Sequence, residues 1–278
     1  MELSYCCPHW GSEQSGIASF FDRLKTASYH GVEIFLHDNI DFVTEFNAEL
    51  KEAVDSNSNF KFIIQHIAPH QPGSVKNYID EFERRLLKLT DLKPDFINSH
   101  TGKDFFSFDD NCKVIEAAMN ISSKTGVRIL HETHRGRFSF HSASLIPYLK
   151  LFPEMELVGD FSHFCTVSES LLQDQKEIIK QIIPHVSHIH ARIGHEQAPQ
   201  VNDPFAPEWK DHLTLFEGWW AEIIAQKKEK GWNSFTITPE FGPSPYMPLL
   251  PFTQQPIGNQ WDINYKMMHH LRNVFKGI

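Results

Sequence analysis

Short β-rich runs alternate with longer helix-favouring stretches eight times along this chain, and that rhythm restricts the fold more than any other feature. The strand candidates are 2–6, 31–36, 60–66, 95–100, 127–132, 155–160, 186–191 and 234–240. Helical stretches fall near 15–29, 41–57, 74–92, 109–125, 140–151, 168–183 and 208–230, with a last one over 261–276. Between Val75 and Leu92, for example, Tyr78, Ile79, Phe82, Leu86 and Leu89 recur at spacings of three and four while charged residues fill the other positions. Strands that alternate with helices pair in parallel through right-handed crossovers. Eight such units in a 278-residue chain predict a single (β/α)8 TIM barrel spanning residues 1–278. An open doubly wound sheet is the alternative, but it usually carries a Gly-rich nucleotide turn, and neither G-x-G-x-x-G nor a Walker loop occurs.

Four of the strand candidates close on an acid or an imidazole. Glu132 ends Val127–Glu132, Asp160 ends Met155–Asp160, His190 ends Val186–His190 and Glu240 ends Phe235–Glu240. A lone carboxylate at a strand end is commonly a helix cap. Four at spacings of 28, 30 and 50 residues, at the end where barrel active sites form, predict one divalent-metal site. Three carboxylates and one imidazole suit Mn²⁺, Mg²⁺, Co²⁺ or Zn²⁺. His131-Glu132-Thr133-His134 is not the H-E-x-x-H of a zinc protease, because one residue too few separates Glu132 from His134. His188 is expected on the face of its strand opposite to His190 and is therefore left out of the ligand set.

Other numbers narrow the partners. With 26 basic and 35 acidic residues the formal charge is −9, which disfavours recognition of a phosphate backbone, so no nucleic-acid partner is expected. The four cysteines form no C-x-x-C pair, and the start of the chain lacks a signal-peptide pattern, so a reducing, cytoplasmic location is expected. No apolar run is long enough to span a membrane. Self-association is left open. Among the aromatics, Trp10, Phe241 and Tyr246 are read as walls of a binding pocket, and Phe216, Trp219 and Trp220 as core. The stretch from Glu196 to Trp209 is read as a lid or a subunit contact.

At Glu132, Asp160-Phe161-Ser162-His163, His188-Ile189-His190 and Glu240 the sequence resembles the xylose isomerase-like barrel superfamily, which includes ketose 3-epimerases, hydroxypyruvate isomerase, inosose dehydratase and the endonuclease IV type of nuclease. The resemblance covers nearly the whole chain on sparse motifs. It implies Glu132, Asp160, His190 and Glu240 as metal ligands, and His163 as a histidine that touches substrate. It also implies metal-dependent isomerisation or epimerisation of a sugar or polyol ketone, by proton transfer next to a carbonyl through a metal-stabilised enediolate, with Glu132 and Glu240 as acid and base; dehydration or lyase chemistry uses the same first step. Arg192, His66, His100 and Trp10 are the further candidates for substrate contact. Two alternatives stand beside this reading: an abasic-site nuclease, for which His66, His100 and His163 sit at suitable strand ends, and a non-catalytic sugar- or metal-binding barrel.

Overall fold

Parallel pairing runs unbroken around eight strands and closes on itself, each strand bonding to its neighbours in chain order and the last to the first. The computed structural model describes residues 1–68 and 73–277. The strands are β1 (Glu2–Pro8), β2 (Gly31–Phe35), β3 (Lys61–Ile67), β4 (Phe96–His100), β5 (Arg128–Glu132), β6 (Leu157–Gly159), β7 (Val186–Ala191) and β8 (Ser234–Pro239). Each boundary lies within two residues of its expected position. The helices among the described residues are α1 (Ile17–Thr26), α2 (Ile40–Ser56), α3 (Val75–Thr90), α4 (Phe108–Thr125), α5 (Ser142–Leu151), α6 (Ser162–Ser168), α7 (Lys176–Ile182), α8 (Lys210–Glu229) and α9 (Gln260–Val274). None of the described helices is long and apolar enough to cross a membrane.

Local chemistry explains where the outer helices start and stop. The Ser107 hydroxyl accepts the amide of Asp110 at the start of α4, Asp109 and Asp110 lie in its positive first turn, and Gly126 ends it in the left-handed conformation. Ser74 caps α3 in the same way, and Phe82 and Leu86 turn inward from it. The sixth unit departs from expectation. In place of one helix over 168–183, α6 begins directly behind β6 because Asp160 Oδ1 accepts the Ser162 amide at 3.1 Å. It stops at Glu169, whose φ of 46° leaves the helical region, and α7 then restarts at Lys176.

The lumen is layered. Cys6, Ile63, Phe96, Leu130 and Val158 form an apolar plug separate from the main core between sheet and helices. Two residues further along four of these strands, on the same face, come Gln65, Asn98, Glu132 and Asp160. The register aligns His188 with Val158 and with Thr236, and His190 with Thr238. A dry floor therefore carries a polar upper layer, and the four predicted ligands belong to that layer at the C-terminal mouth.

Strand spacing at the β2–β3 seam leaves no room for a methyl group. A Cβ on Gly31 would lie 2.4 Å from the carbonyl oxygen of Lys61, whereas a Cβ on Gly218, exposed within α8, meets nothing within 4 Å. Gly31→Ala should destabilise the protein by about 1–3 kcal/mol through forced backbone displacement. Gly218→Ala should stabilise it by about 0.8–1 kcal/mol through helix propensity. Urea unfolding of the two variants checks this; equal effects would contradict the seam packing.

Candidate metal centre

Glu132, Asp160, His190 and Glu240 converge. One ligand atom from each lies within 4.8 Å of all the others, and all four side chains are buried. His190 Nδ1 and Glu240 Oε2 approach to 2.8 Å, yet neither has a partner in hydrogen-bonding geometry. Two buried atoms that face the same point without bonding each other are arranged as donors to a shared ion. The residue types and the geometry thus fit a divalent cation.

The other nitrogen of His190 shows what holds the ring in place. Nε2 lies 2.9 Å from Oε1 of Glu33, a fully buried carboxylate in the middle of β2. Glu33 also accepts from Thr238 Oγ1 at 2.5 Å, from Asn98 Nδ2 at 3.1 Å and from Gln65 Nε2 at 3.3 Å. With Nε2–H committed to Glu33, Nδ1 keeps its lone pair for the centre, the usual carboxylate–histidine arrangement behind a metal. Amides from the same layer fix the two glutamates. Asn98 Nδ2 donates to Glu132 Oε2 at 2.8 Å, and Gln65 Nε2 to Glu240 Oε1 at 3.4 Å.

Sequence reading missed Glu33, Gln65 and Asn98, and it misplaced His188. Residues two apart on a strand share a face. His188 accordingly points into the lumen with His190, its Nε2 3.3 Å from Glu33 Oε2 and its Nδ1 2.7 Å from Thr236 Oγ1. It stays out of the tetrad because it lies one layer deeper. Glu33, His188 and His190 are themselves close enough to hold an ion.

Charge dominates this layer. Burial alone would raise the Glu33 carboxyl, but His190 and His188 outweigh it and hold Glu33 well below its ordinary range. Burial opposes ionisation of Glu132 in the same way and is overcome by His100 and His190. At Asp160 burial prevails over Arg192 and the value is raised. Arg192 is almost completely buried, pairs with Asp160 Oδ2 and lies 3.4 Å from Glu240 Oε2. It is a structural counter-ion to two of the proposed ligands.

Above the tetrad opens a cavity of about 410 Å³, to which Glu132 and Glu240 contribute walls. Of the candidates for substrate contact, Trp10, His100 and Arg192 line it. Trp10 meets Tyr246 edge-to-face at 5.1 Å, and Tyr246 covers the guanidinium groups of Arg135 and Arg192, each 4.8 Å from its ring centre. His100 Nε2 lies 3.0 Å from Glu132 Oε2.

Three other expectations require correction. His66 is not part of the cavity wall: it leans edge-on against Phe82 of α3 with Nδ1 3.1 Å from Ser99 Oγ, and the neighbouring Gln65 takes the lumen position. His163 is fully buried and does not reach the cavity. Its Nδ1 and Nε2 each lie 3.0 Å from an arginine, Arg135 and Arg192. Burial, then His134 and the arginines, push its pKa far down. A neutral imidazole accepts at one nitrogen only, so one of those two contacts is not a hydrogen bond. Phe241, read as a pocket wall, instead packs with Met247 and Ile263 in a small cluster behind β8.

None of the residues from Glu196 to Trp209 lines the cavity. Gln200 exchanges two hydrogen bonds with the backbone of Gly242, at 3.1 and 2.6 Å, and the Val201 amide returns to Ile193. His195 stacks on Trp209 at 5.0 Å. The segment braces the loop behind Glu240.

No protein-family model matches the chain, and no curated protein sequence matches it. Solved structures do match it. The apo form of 3-keto-D-glucoside 4-epimerase YcjR from E. coli superposes with a TM-score of 0.60 at 12% identity, covering 98% of this chain and 100% of that one. The probable 3-DHS dehydratase AsbF of Bacillus anthracis gives 0.65 at 15% identity over 98% and 99%. The IolI protein with a bound zinc atom gives 0.57 at 15% identity over 99% and 98%. The fold is that of the xylose isomerase-like TIM barrels. At these identities the likeness to xylose isomerase-like barrels concerns architecture.

A cation confined to the folded state at one hundred times its dissociation constant adds about 2.7 kcal/mol of stability. Mn²⁺ or Zn²⁺ should therefore raise the melting temperature of the protein and leave that of Asp160→Ala unmoved. Glu33→Gln should respond, but only at about 10–100-fold higher ion concentration, because it loosens the ring behind the ligand. An equal rise in wild type and Asp160→Ala would contradict the assignment.

Proposed function

We propose that this protein is a divalent-metal-dependent isomerase or epimerase of sugars or related polyol ketones, acting by proton transfer at a carbon next to a carbonyl. The observation that carries the reading is the pair Glu132 and Glu240: two carboxylates that belong to one ligand cluster and also reach the walls of one cavity. Glu132, Asp160, His190 and Glu240 would hold the ion, which would supply Lewis-acid polarisation of the substrate carbonyl. Glu132 and Glu240 enter the cavity from β5 and from behind β8, so a carbon held between them meets a carboxylate from two walls. One carboxylate takes the proton and the other returns it. The amides of Asn98 and Gln65 each hold one oxygen of these glutamates and limit their rotation. Trp10 and Tyr246 offer ring faces to the C–H surface of a sugar, and Arg192 offers a donor to its oxygens.

Several fold neighbours have names that fit a reaction of this kind, an epimerase and a probable dehydratase among them. Elimination of water after the same proton removal is therefore an outcome the test should register. The nuclease reading loses support from two of its three histidines, since His66 faces away from the cavity and His163 is enclosed by arginines.

The test is a panel of ketoses, aldoses and inososes in D₂O with Mn²⁺, followed by NMR. Solvent deuterium should appear at the carbon next to the carbonyl. Glu132→Gln and Glu240→Gln should each reduce that exchange by about 10²–10⁴-fold even with metal in excess. Full turnover by both variants on a substrate that the wild type converts would overturn the proposed roles.

A further inference from the structure

Arg137 is a buried guanidinium with no carboxylate partner among the described residues. It is 6% exposed, lines the cavity, and forms no ion pair among the described residues. Among the described residues its Nε has no hydrogen-bond partner, and its side chain makes one hydrogen-bond contact, from Nη2 to His100 Nδ1 at 3.4 Å. An unpaired buried charge is costly, and removing its partner from a buried pair typically costs several kcal/mol. Arg192, which lines the same cavity, shows the contrast, because it is paired with Asp160 and Glu240.

The backbone under Arg137 holds it firmly. Ser139 Oγ donates to the carbonyl of Glu132, the Phe138 amide reaches the carbonyl of Thr101 at 3.3 Å, and the Phe138 ring is sunk in the core. Lys103 is a second buried cation close by, and burial, reinforced by Arg137, lowers its pKa to about 8. Of the acidic lining groups, Glu132 and Glu240 belong to the proposed centre and Glu13 is tied to the amide of Gly11 at 2.9 Å; Glu132 and Asp104 favour the charged form of Arg137 without forming an ion pair with it among the described residues.

We infer that Arg137 receives an anionic group of the substrate, and that the substrate class is a sugar acid, a carboxylate-bearing sugar such as a uronate. A planar carboxylate can engage a guanidinium through two parallel hydrogen bonds. A single unpaired guanidinium balances a monoanion better than it balances a phosphate dianion. The location also suits a substrate bound end to end. His100 alone separates Arg137 from Glu132, with contacts of 3.4 Å on one side of its ring and 3.0 Å on the other. A sugar whose carbonyl faces Glu132 can thus place a carboxylate a few carbons away against Arg137. This assignment of substrate rests on the sugar-isomerase reading of the same cavity.

Calorimetric titration of the Mn²⁺-loaded protein tests it with matched pairs: glucuronate against glucose, galacturonate against galactose, gluconate against sorbitol, and glucose 6-phosphate beside them. At least one acid should bind about ten-fold or more tighter than its neutral partner, the size of a charge-assisted hydrogen bond. Arg137→Met should abolish that preference and leave the neutral sugar's affinity unchanged, and Arg137→Lys should retain part of it. Unaltered Mn²⁺ binding in both variants shows that the site itself is intact. No acid preference in any pair, or a preference that survives Arg137→Met, overturns the inference. Tighter binding of the phosphate than of every carboxylate overturns the choice of carboxylate. Because binding is read without turnover, the two proposals fail separately. Deuterium exchange on neutral sugars without acid preference removes this inference alone, and acid preference without exchange on any acid removes the isomerase reading alone.

Discussion

Four carboxylates, Glu33, Glu132, Asp160 and Glu240, are buried together in one barrel mouth, and among the described residues the only guanidinium paired with them is that of Arg192. Buried charges of one sign repel strongly where the dielectric is low, and their burial is tolerated only with compensation. His188 and His190 supply part of it by facing Glu33, and His100 supplies part by facing Glu132. A divalent ion among Glu132, Asp160, His190 and Glu240 would supply the rest, which is why this arrangement reads as a binding site more readily than as a stabilising network.

The barrel makes that crowding possible. Its apolar plug below the polar layer keeps solvent from the floor, and closed parallel pairing places every strand C-terminus at one mouth. Within the layer, function divides by depth. His188 and Thr236 lie lowest, Glu33, Asn98 and Gln65 orient the groups above them, and Glu132 and Glu240 alone of the tetrad reach the cavity. Asp160 serves two purposes at once. One oxygen starts α6 by capping Ser162 and the other faces Arg192, so the ordinary role of a strand-end acid and its role in the site coexist.

The fold was legible because eight strand–helix repeats leave few architectures open, and the tetrad because its members end hydrophobic runs at intervals set by the repeat. The supporting layer was harder to read. Glu33 sits mid-strand between Val32 and Ile34 and looks like an ordinary alternation until the lumen is known to be polar at that height. A signal was available in the shared phase of Glu33, Gln65, Asn98, His188 and Thr238, each a polar residue on the lumen face of its strand. His66 and Gln65 show the opposite hazard: a one-residue shift along the strand turns a candidate for substrate contact out against Phe82. Arg137 could not have been singled out from the sequence, since only the folded cavity shows that a charged side chain there lacks an ion partner among the described residues.

The claim on which the account turns is that the four strand-end groups bind one ion. Crystals soaked in Zn²⁺ or Mn²⁺ and measured at the metal's absorption edge test it directly. The account predicts one dominant anomalous peak within coordination distance of Glu132, Asp160, His190 and Glu240, with His190 bound through Nδ1 while Nε2 keeps its contact to Glu33. A dominant peak elsewhere, or none at saturating ion, would contradict it.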